Sequence, residues 1–179
     1  MWNKLLWGSC RCFTVACRDA SCVEGIYEVE GGEGVAYHDT TDGPFAVGIT
    51  YEYDGTGHKY VMVTSQGEWT KYKFETDKSG LYNIYLTAAA TSKYPRVSIW
   101  VDDVLVVDKG SIINTETYSV FKENKMGSVY LNEGTHTVKV EHTVSNFGFY
   151  SLRFATENDT LVRNDGFVES IVSEITKNK

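Results

Sequence analysis

Carboxylates, an imidazole and aromatic rings gather in one short part of this chain, at Glu28-Val29-Glu30 and in the stretch Gly31-Gly32-Glu33-Gly34-Val35-Ala36-Tyr37-His38-Asp39-Thr40-Thr41. Ile26-Tyr27-Glu28-Val29-Glu30 reads as a strand, so Glu28 and Glu30 point the same way. Two carboxylates on one side suit a hard cation such as Ca²⁺, which takes about six to eight oxygens; they equally suit a solvated edge strand. The glycines that follow allow a turn in which backbone closely approaches a ligand or a metal.

Tyr37-His38-Asp39, with Glu33 and Glu68, raises the question of glycoside hydrolysis, which needs two opposed carboxyl groups with separated pKa values. The sequence answers against it. His38 and Asp39 are adjacent and face opposite sides of an extended chain. No GxSxG or HExxH motif occurs, and an adjacent His and Asp in a turn ordinarily bond their own backbone. The reading is non-catalytic.

The elements that position these residues are strands. His58 to Thr64 and Trp69 to Glu75 alternate, with Trp69 and Lys71 on one face and Tyr72 and Phe74 on the other. Leu81 to Thr87, Arg96 to Val101 and Val104 to Val107 follow, the last two joined by an Asp102-Asp103 turn. Tyr118 to Lys122 and Gly127 to Leu131 are expected as separate strands divided by polar Glu123-Asn124-Lys125. His136, Val138, Val140, His142 and Val144 share a face of the next strand, and Phe147 to Phe154 closes the set. About ten short strands without a βαβ rhythm predict an all-β antiparallel sandwich of jelly-roll type. Beyond it, Phe167, Val168, Ile171, Val172 and Ile175 fall at helical spacing, predicting a short C-terminal amphipathic helix over 165–177.

With 179 residues, 12 Tyr, 8 Phe, 4 Trp and 2 Pro, the chain has the size and aromatic content for one packed domain with appendages. Its net charge of -7 and scattered Lys and Arg offer no basic track for a nucleic acid. Cys10, Cys12, Cys17 and Cys22 all lie near the N-terminus, at a spacing that does not suit zinc. That segment instead reads as a signal or anchor: a short basic start at Met1-Trp2-Asn3-Lys4, a mostly apolar run from Leu5 to Ala16 interrupted by Arg11, and Thr14-Val15-Ala16-Cys17 as a weak lipobox. The expected organisation is a signal, anchor or tether over 1–24, a sandwich over 25–156, and a linker with a helix over 157–179. The expected location is extracellular or at the cell surface, with the N-terminus as a membrane tether.

Glu28-Val29-Glu30, the glycine-rich stretch, Gly67-Glu68-Trp69-Thr70-Lys71-Tyr72, Gly80-Leu81-Tyr82, Asn132 to Val138 and Leu152-Arg153-Phe154 form an ordered series of landmarks. In that order they resemble the family 6 carbohydrate-binding modules. The resemblance implies a non-catalytic β-sandwich, often an accessory of a glycoside hydrolase, that binds polysaccharide or oligosaccharide. It implies a loop site built from a glutamate, two aromatics and an asparagine. The glutamate falls on Glu33. The first aromatic falls on Val63, which has no ring, leaving Tyr60 or Phe45 to supply one. The second falls on Tyr118, and the asparagine position falls on Gly148, with Asn146 nearby. Phe45, Tyr60 and Tyr118 serve equally well as cover for the core. The resemblance also implies a second site on a sheet face, for which Trp100, Tyr72, Tyr82 and Tyr85 are candidates. A structural calcium is implied at Glu28 and Glu30, completed by an acid after the last strand such as Glu157. The alternative from another class is a structural or adhesive sandwich that has lost sugar binding and self-associates through its C-terminal helix.

Overall fold

Alternation decides which side of each strand meets the core. In Trp69–Thr76, the side chains of Thr70, Tyr72, Phe74 and Thr76 are buried, and those between them face outward. Gly134–Val144 repeats the pattern, with His136, Val138, Val140 and His142 buried. The computed structural model describes residues 31–40, 65–144 and 146–156, Tyr150 by its backbone alone. It also gives the backbone of strands at Cys12–Phe13, Ile26–Glu28, Thr50–Tyr53 and Lys59–Val63.

In chain order the strands are β1 (Cys12–Phe13), β2 (Ile26–Glu28), β3 (Tyr37–His38), β4 (Thr50–Tyr53), β5 (Lys59–Val63) and β6 (Trp69–Thr76). Then come β7 (Gly80–Ala89), β8 (Arg96–Val101), β9 (Val104–Ser111), β10 (Lys122–Leu131), β11 (Gly134–Val144) and β12 (Phe147–Thr156). They form two antiparallel sheets. Sheet A runs β1-β2-β6-β11-β8-β9, with β3 also on β6, and sheet B runs β10-β7-β12-β5-β4. The inner faces join through aromatic rings: Phe74 stacks on Phe154 with centroids 4.2 Å apart, and Tyr72 meets Phe149 edge-on at 6.2 Å. Ile84, Leu86, Ile99, Val138 and Val140 fill the layer around them. Along one side of the sandwich the edge strands β9 and β10 approach so closely that a Cβ at Gly110 would lie 2.7 Å from Met126 Cε.

The all-β sandwich is as expected, and no helix occurs among the described residues. The expected C-terminal helix over 165–177 lies outside them. So does the N-terminal segment, except that the backbone of Cys12–Phe13 pairs with β2. One expectation is corrected. Of the stretch Tyr118 to Lys122 only Lys122 is in a strand, the first residue of β10, which runs unbroken through Glu123-Asn124-Lys125. Polarity there does not mean loop, because Asn124 and Glu123 have partners inside the fold. Buried Asn124 donates its amide to the carbonyls of Leu86 and Lys122 and accepts from the Ile113 amide. Glu123 holds Arg153 through two hydrogen bonds of 3.0 Å, and the Arg153 guanidinium lies over the Tyr85 ring.

Asp102 and Asp103, both left-handed (φ 49° and 62°), turn β8 into β9. Buried His136 faces the Asp102 carboxylate with Nδ1 at 2.7 Å and the Asn132 carbonyl with Nε2 at 2.8 Å. Both ring nitrogens therefore meet acceptors, an arrangement that suits the doubly protonated ring. Burial works against the charge, but the hydrogen bonds to Asp102 and Asn132 outweigh it, and the His136 pKa is raised. A raised folded pKa stabilises fully below the ordinary value of about 6.5 and is lost as pH rises through the folded value. The melting temperature should therefore fall as pH rises from about 6.5 through the raised value. Asp102→Asn should flatten that dependence and cost about 1.5–3 kcal/mol below it, as loss of a hydrogen bond to a charged group does. Thermal melts of both proteins across pH check this, and parallel curves would contradict it.

Candidate functional site

The glycine-rich stretch folds into a tight turn. The Gly34 amide donates to the Tyr37 carbonyl, and the Val35 and Ala36 amides donate to Gly32. Gly34 sits at φ 77°, where a side chain is strained. The turn feeds β3, whose His38 opposes Trp69, and the Lys71 amide donates to the Ala36 carbonyl. The Glu33 carboxylate is thereby brought back onto His38 Nδ1 and the Asp39 amide, and its pKa is lowered by those two bonds.

Beneath this turn lies the fully buried carboxylate of Glu68. It accepts from the Ser65 amide at 2.9 Å and from Thr40 Oγ1 at 3.3 Å. The Glu68 carbonyl accepts from the His142 amide, and His142 Nδ1 faces the Ser65 carbonyl. Burial lowers the His142 pKa, against the opposing pull of the Ser65 carbonyl and Glu68. This network ties the 31–40 turn and the 65–68 turn to the end of β11.

The same end of the sandwich carries the 112–121 connection. Thr115 is buried and exchanges hydrogen bonds with both the amide and the carbonyl of Ala90. Asn114 accepts from the Glu116 amide, and Glu116 takes a left-handed φ of 65°. Tyr118 is half-buried on this braced loop, its hydroxyl accepting from Thr91 Oγ1. Asn146 is exposed just before β12, between the end of β5 (Val63 opposite Phe147) and the end of β7 (Ala89 opposite Gly148). Glu33, Tyr118 and Asn146 therefore occupy one end of the sandwich.

A second surface lies on the outer face of sheet A. Trp100 alternates with buried Ile99 and Val101 and opposes Lys139 of β11. The Lys139 ammonium sits 3.7 Å from the Trp100 centroid and 5.6 Å from that of Trp69, and 3.2 Å from Glu141 Oε2. Lys71, opposite Lys139 on its other side, bonds Asp103 at 2.8 Å and holds that carboxyl below its ordinary pKa. His38 adjoins Trp69 with centroids 6.3 Å apart. The surface is thus two half-buried indoles flanking a lysine, with a carboxylate at its side.

Of the sheet-face candidates, Trp100 faces solvent. Tyr72 and Tyr82 are core residues, and Tyr85 lies under Arg153. Inward parity on β6 and β7 puts both core tyrosines between the sheets. Trp69 and Lys139 are the residues that sequence reasoning missed as partners of Trp100; the signal was their shared outward parity. Phe45, Glu30 and Glu157 lie outside the described residues, and Tyr60 and Glu28 are placed by backbone alone, on β5 and β2. Among the described residues no three His, Cys, Asp or Glu side chains gather to hold a metal.

Comparison with known proteins gives the same outline. A family model described as carbohydrate binding module (family 6) matches residues 29–155. No curated protein matches the chain. Among solved structures it is similar to the C-terminal family 6 carbohydrate-binding module of a marine laminarinase from Zobellia galactanivorans. There the identity is 16%, the TM-score 0.55, and the match covers 67% of this chain and 98% of that one. A family 6 module of lichenase 5A from Cellvibrio mixtus, solved in complex with cellotriose, is similar at 17% identity and a TM-score of 0.52, covering 69% and 98%. A family 35 module from Clostridium thermocellum is similar at 18% identity and a TM-score of 0.54, covering 59% and 86%. At these identities the structural likeness carries the fold.

Removing the Glu68 carboxylate leaves the Ser65 amide and the Thr40 hydroxyl without that acceptor in a buried place. Glu68→Ala should therefore cost about 1–3 kcal/mol. Urea denaturation would show this as a lower midpoint at unchanged slope, and a loss below about 0.5 kcal/mol would contradict the anchoring role.

Proposed function

From the premise that this chain belongs to family 6 of the carbohydrate-binding modules, and so is a non-catalytic sandwich, we propose that it holds polysaccharide on the outer face of sheet A. The observation that carries this reading is the pair of outward indoles, Trp69 and Trp100, on either side of Lys139. A pyranose has an apolar C–H face, and an indole laid beside it removes apolar area from water. A pyranose that stacks on the Trp100 face now under the Lys139 ammonium displaces that ammonium, which then donates to ring hydroxyls while the Glu141 carboxylate beside it accepts from them. Stacking on neutral rings needs no positive surface, so a net charge of -7 is no obstacle.

A second surface is favoured by a separate observation, the gathering of Glu33, Tyr118 and Asn146 at one end of the sandwich. There a carboxylate and an amide are placed to bond hydroxyls beside a tyrosine ring. Glu33 is committed to His38 and the Asp39 amide through both oxygens, so a sugar there meets a carboxylate that is already oriented.

For a structural calcium, the support is Glu28 on β2 together with Glu30, a strand-spaced pair of hard oxygen donors. These residues, completed by Glu157, would hold the ion and tie the first part of the sandwich to its last strand. Calcium there would add stability by binding only the folded chain. A chelator should then lower the melting temperature, and an unchanged melt would remove the ion from the account.

Pull-down on insoluble polysaccharides tests the two surfaces together. Trp100→Ala should weaken binding about tenfold, the equivalent of roughly 1.4 kcal/mol, with little change in melting temperature. If Trp100→Ala binds as the parent while Tyr118→Ala does not, the loop end is the site in use. A wild-type chain that binds no polysaccharide would overturn both surfaces and leave a sandwich that serves assembly.

A further inference from the structure

Strand β3 brings to the outer face of sheet A a side chain that neither surface has used as a contact. His38 opposes Trp69 in register, so its ring stands on the same outward side of the sheet. Its side chain is 44% exposed, and its ring lies 6.3 Å from that of Trp69, centroid to centroid, with 38° between the planes. Across the face the strands follow in the order β3, β6, β11, β8. Side chains link them in turn: His38 adjoins Trp69, and the Lys139 ammonium lies 5.6 Å from the Trp69 centroid and 3.7 Å from that of Trp100. The row from His38 to Trp100 therefore crosses three strand spacings, roughly 14 Å in all.

The His38 ring is held in one orientation. Its Nδ1 faces one oxygen of the Glu33 carboxylate, and the other oxygen accepts from the Asp39 amide. Nε2 has no hydrogen-bond partner among the described residues. A carboxylate that holds the Nδ1 proton leaves Nε2 as an acceptor on the neutral ring and as a donor on the charged one. A sugar hydroxyl answers either, because it both donates and accepts. An imidazole that served only to brace the 31–40 turn would need Nδ1 alone; here the second nitrogen is presented beside an indole. A ring already fixed by Glu33 gives up little rotamer freedom when a ligand bonds to it.

We propose that His38 is a further contact of the sheet A surface: Nε2 bonds a hydroxyl of the sugar unit next to the one on Trp69, and Glu33 is the positioning residue that orients the ring. The inference rests on the reading that this face holds polysaccharide. The ligand class it selects is a linear glycan lying across the strands and long enough to run from Trp100 to His38, which a disaccharide is too short to do.

The test is calorimetric titration of the full chain with a disaccharide and a hexasaccharide of whichever series it binds, cello-, laminari- or xylo-oligosaccharides. His38→Asn keeps a nitrogen close to the place of Nδ1 for Glu33 and removes Nε2. It should weaken hexasaccharide binding about fivefold, as the loss of one ordinary hydrogen bond does, and leave disaccharide affinity and melting temperature unchanged. Glu33→Ala should also weaken the hexasaccharide, and should add nothing in the His38→Asn background, because it acts through that ring. Unchanged hexasaccharide affinity in His38→Asn would overturn this inference alone. So would an equal loss for both lengths, which marks a face distorted by the substitution, and a Glu33→Ala loss that multiplies with that of His38→Asn removes the positioning role. A Trp100→Ala variant that binds the hexasaccharide as the parent does would overturn the reading of the face and this inference with it.

Discussion

Phe74 of β6 stacks on Phe154 of β12 across the two sheets, and everything the molecule offers to a ligand depends on that closure. Side chains alternate along a strand, so committing Tyr72 and Phe74 to the core commits Trp69 and Lys71 to the outside. The same holds in β8 and β11, where Ile99 and Val140 are buried and Trp100 and Lys139 are not. Slipping the register of β11 by one residue would turn His136, Val138 and Val140 outward and dismantle the indole pair with the core. The outer surface of sheet A is thus fixed by the inner one.

The loop end obeys a different constraint. Loops cannot be pinned by alternation, so here buried polar groups hold them: Glu68 under the 31–40 turn, Thr115 between Ala90 and Thr117, and Asn124 under Ile113. Each is a polar group whose burial is costly unless bonded, and each bond fixes a loop. What results is a braced rim that carries Glu33 and Tyr118 on ordered backbone. Pre-ordering of this kind matters for sugars, where each contact is weak and any ordering cost is subtracted from it.

Much of this was legible in the sequence, for identifiable reasons. Strict alternation gave β6, β8 and β11 and the outward pairing of Trp69 with Lys71. The paired aspartates at 102 and 103 gave the turn between β8 and β9. The order of the landmarks gave the family. What stayed hidden depends on partners distant in the chain. Alternation says that Tyr72 and Trp69 face opposite ways, not which way is in, so Tyr72 and Tyr82 could stand as surface candidates beside Trp100. The polar run in β10 reads as a loop until Arg153 and Leu86 supply partners 30 and 38 residues away. No local pattern announces that Lys139 reaches two tryptophans on two neighbouring strands.

The central claim is that the outward indoles of sheet A meet sugar. The most direct measurement is the indole N–H signals of Trp69 and Trp100 in a ¹⁵N-labelled protein, assigned by Trp→Phe variants and followed while soluble laminarin, xylan or cello-oligosaccharides are added. The account predicts that both signals move together and saturate with one of these glycans. A glycan that binds and saturates while both indole signals stay in place would contradict it.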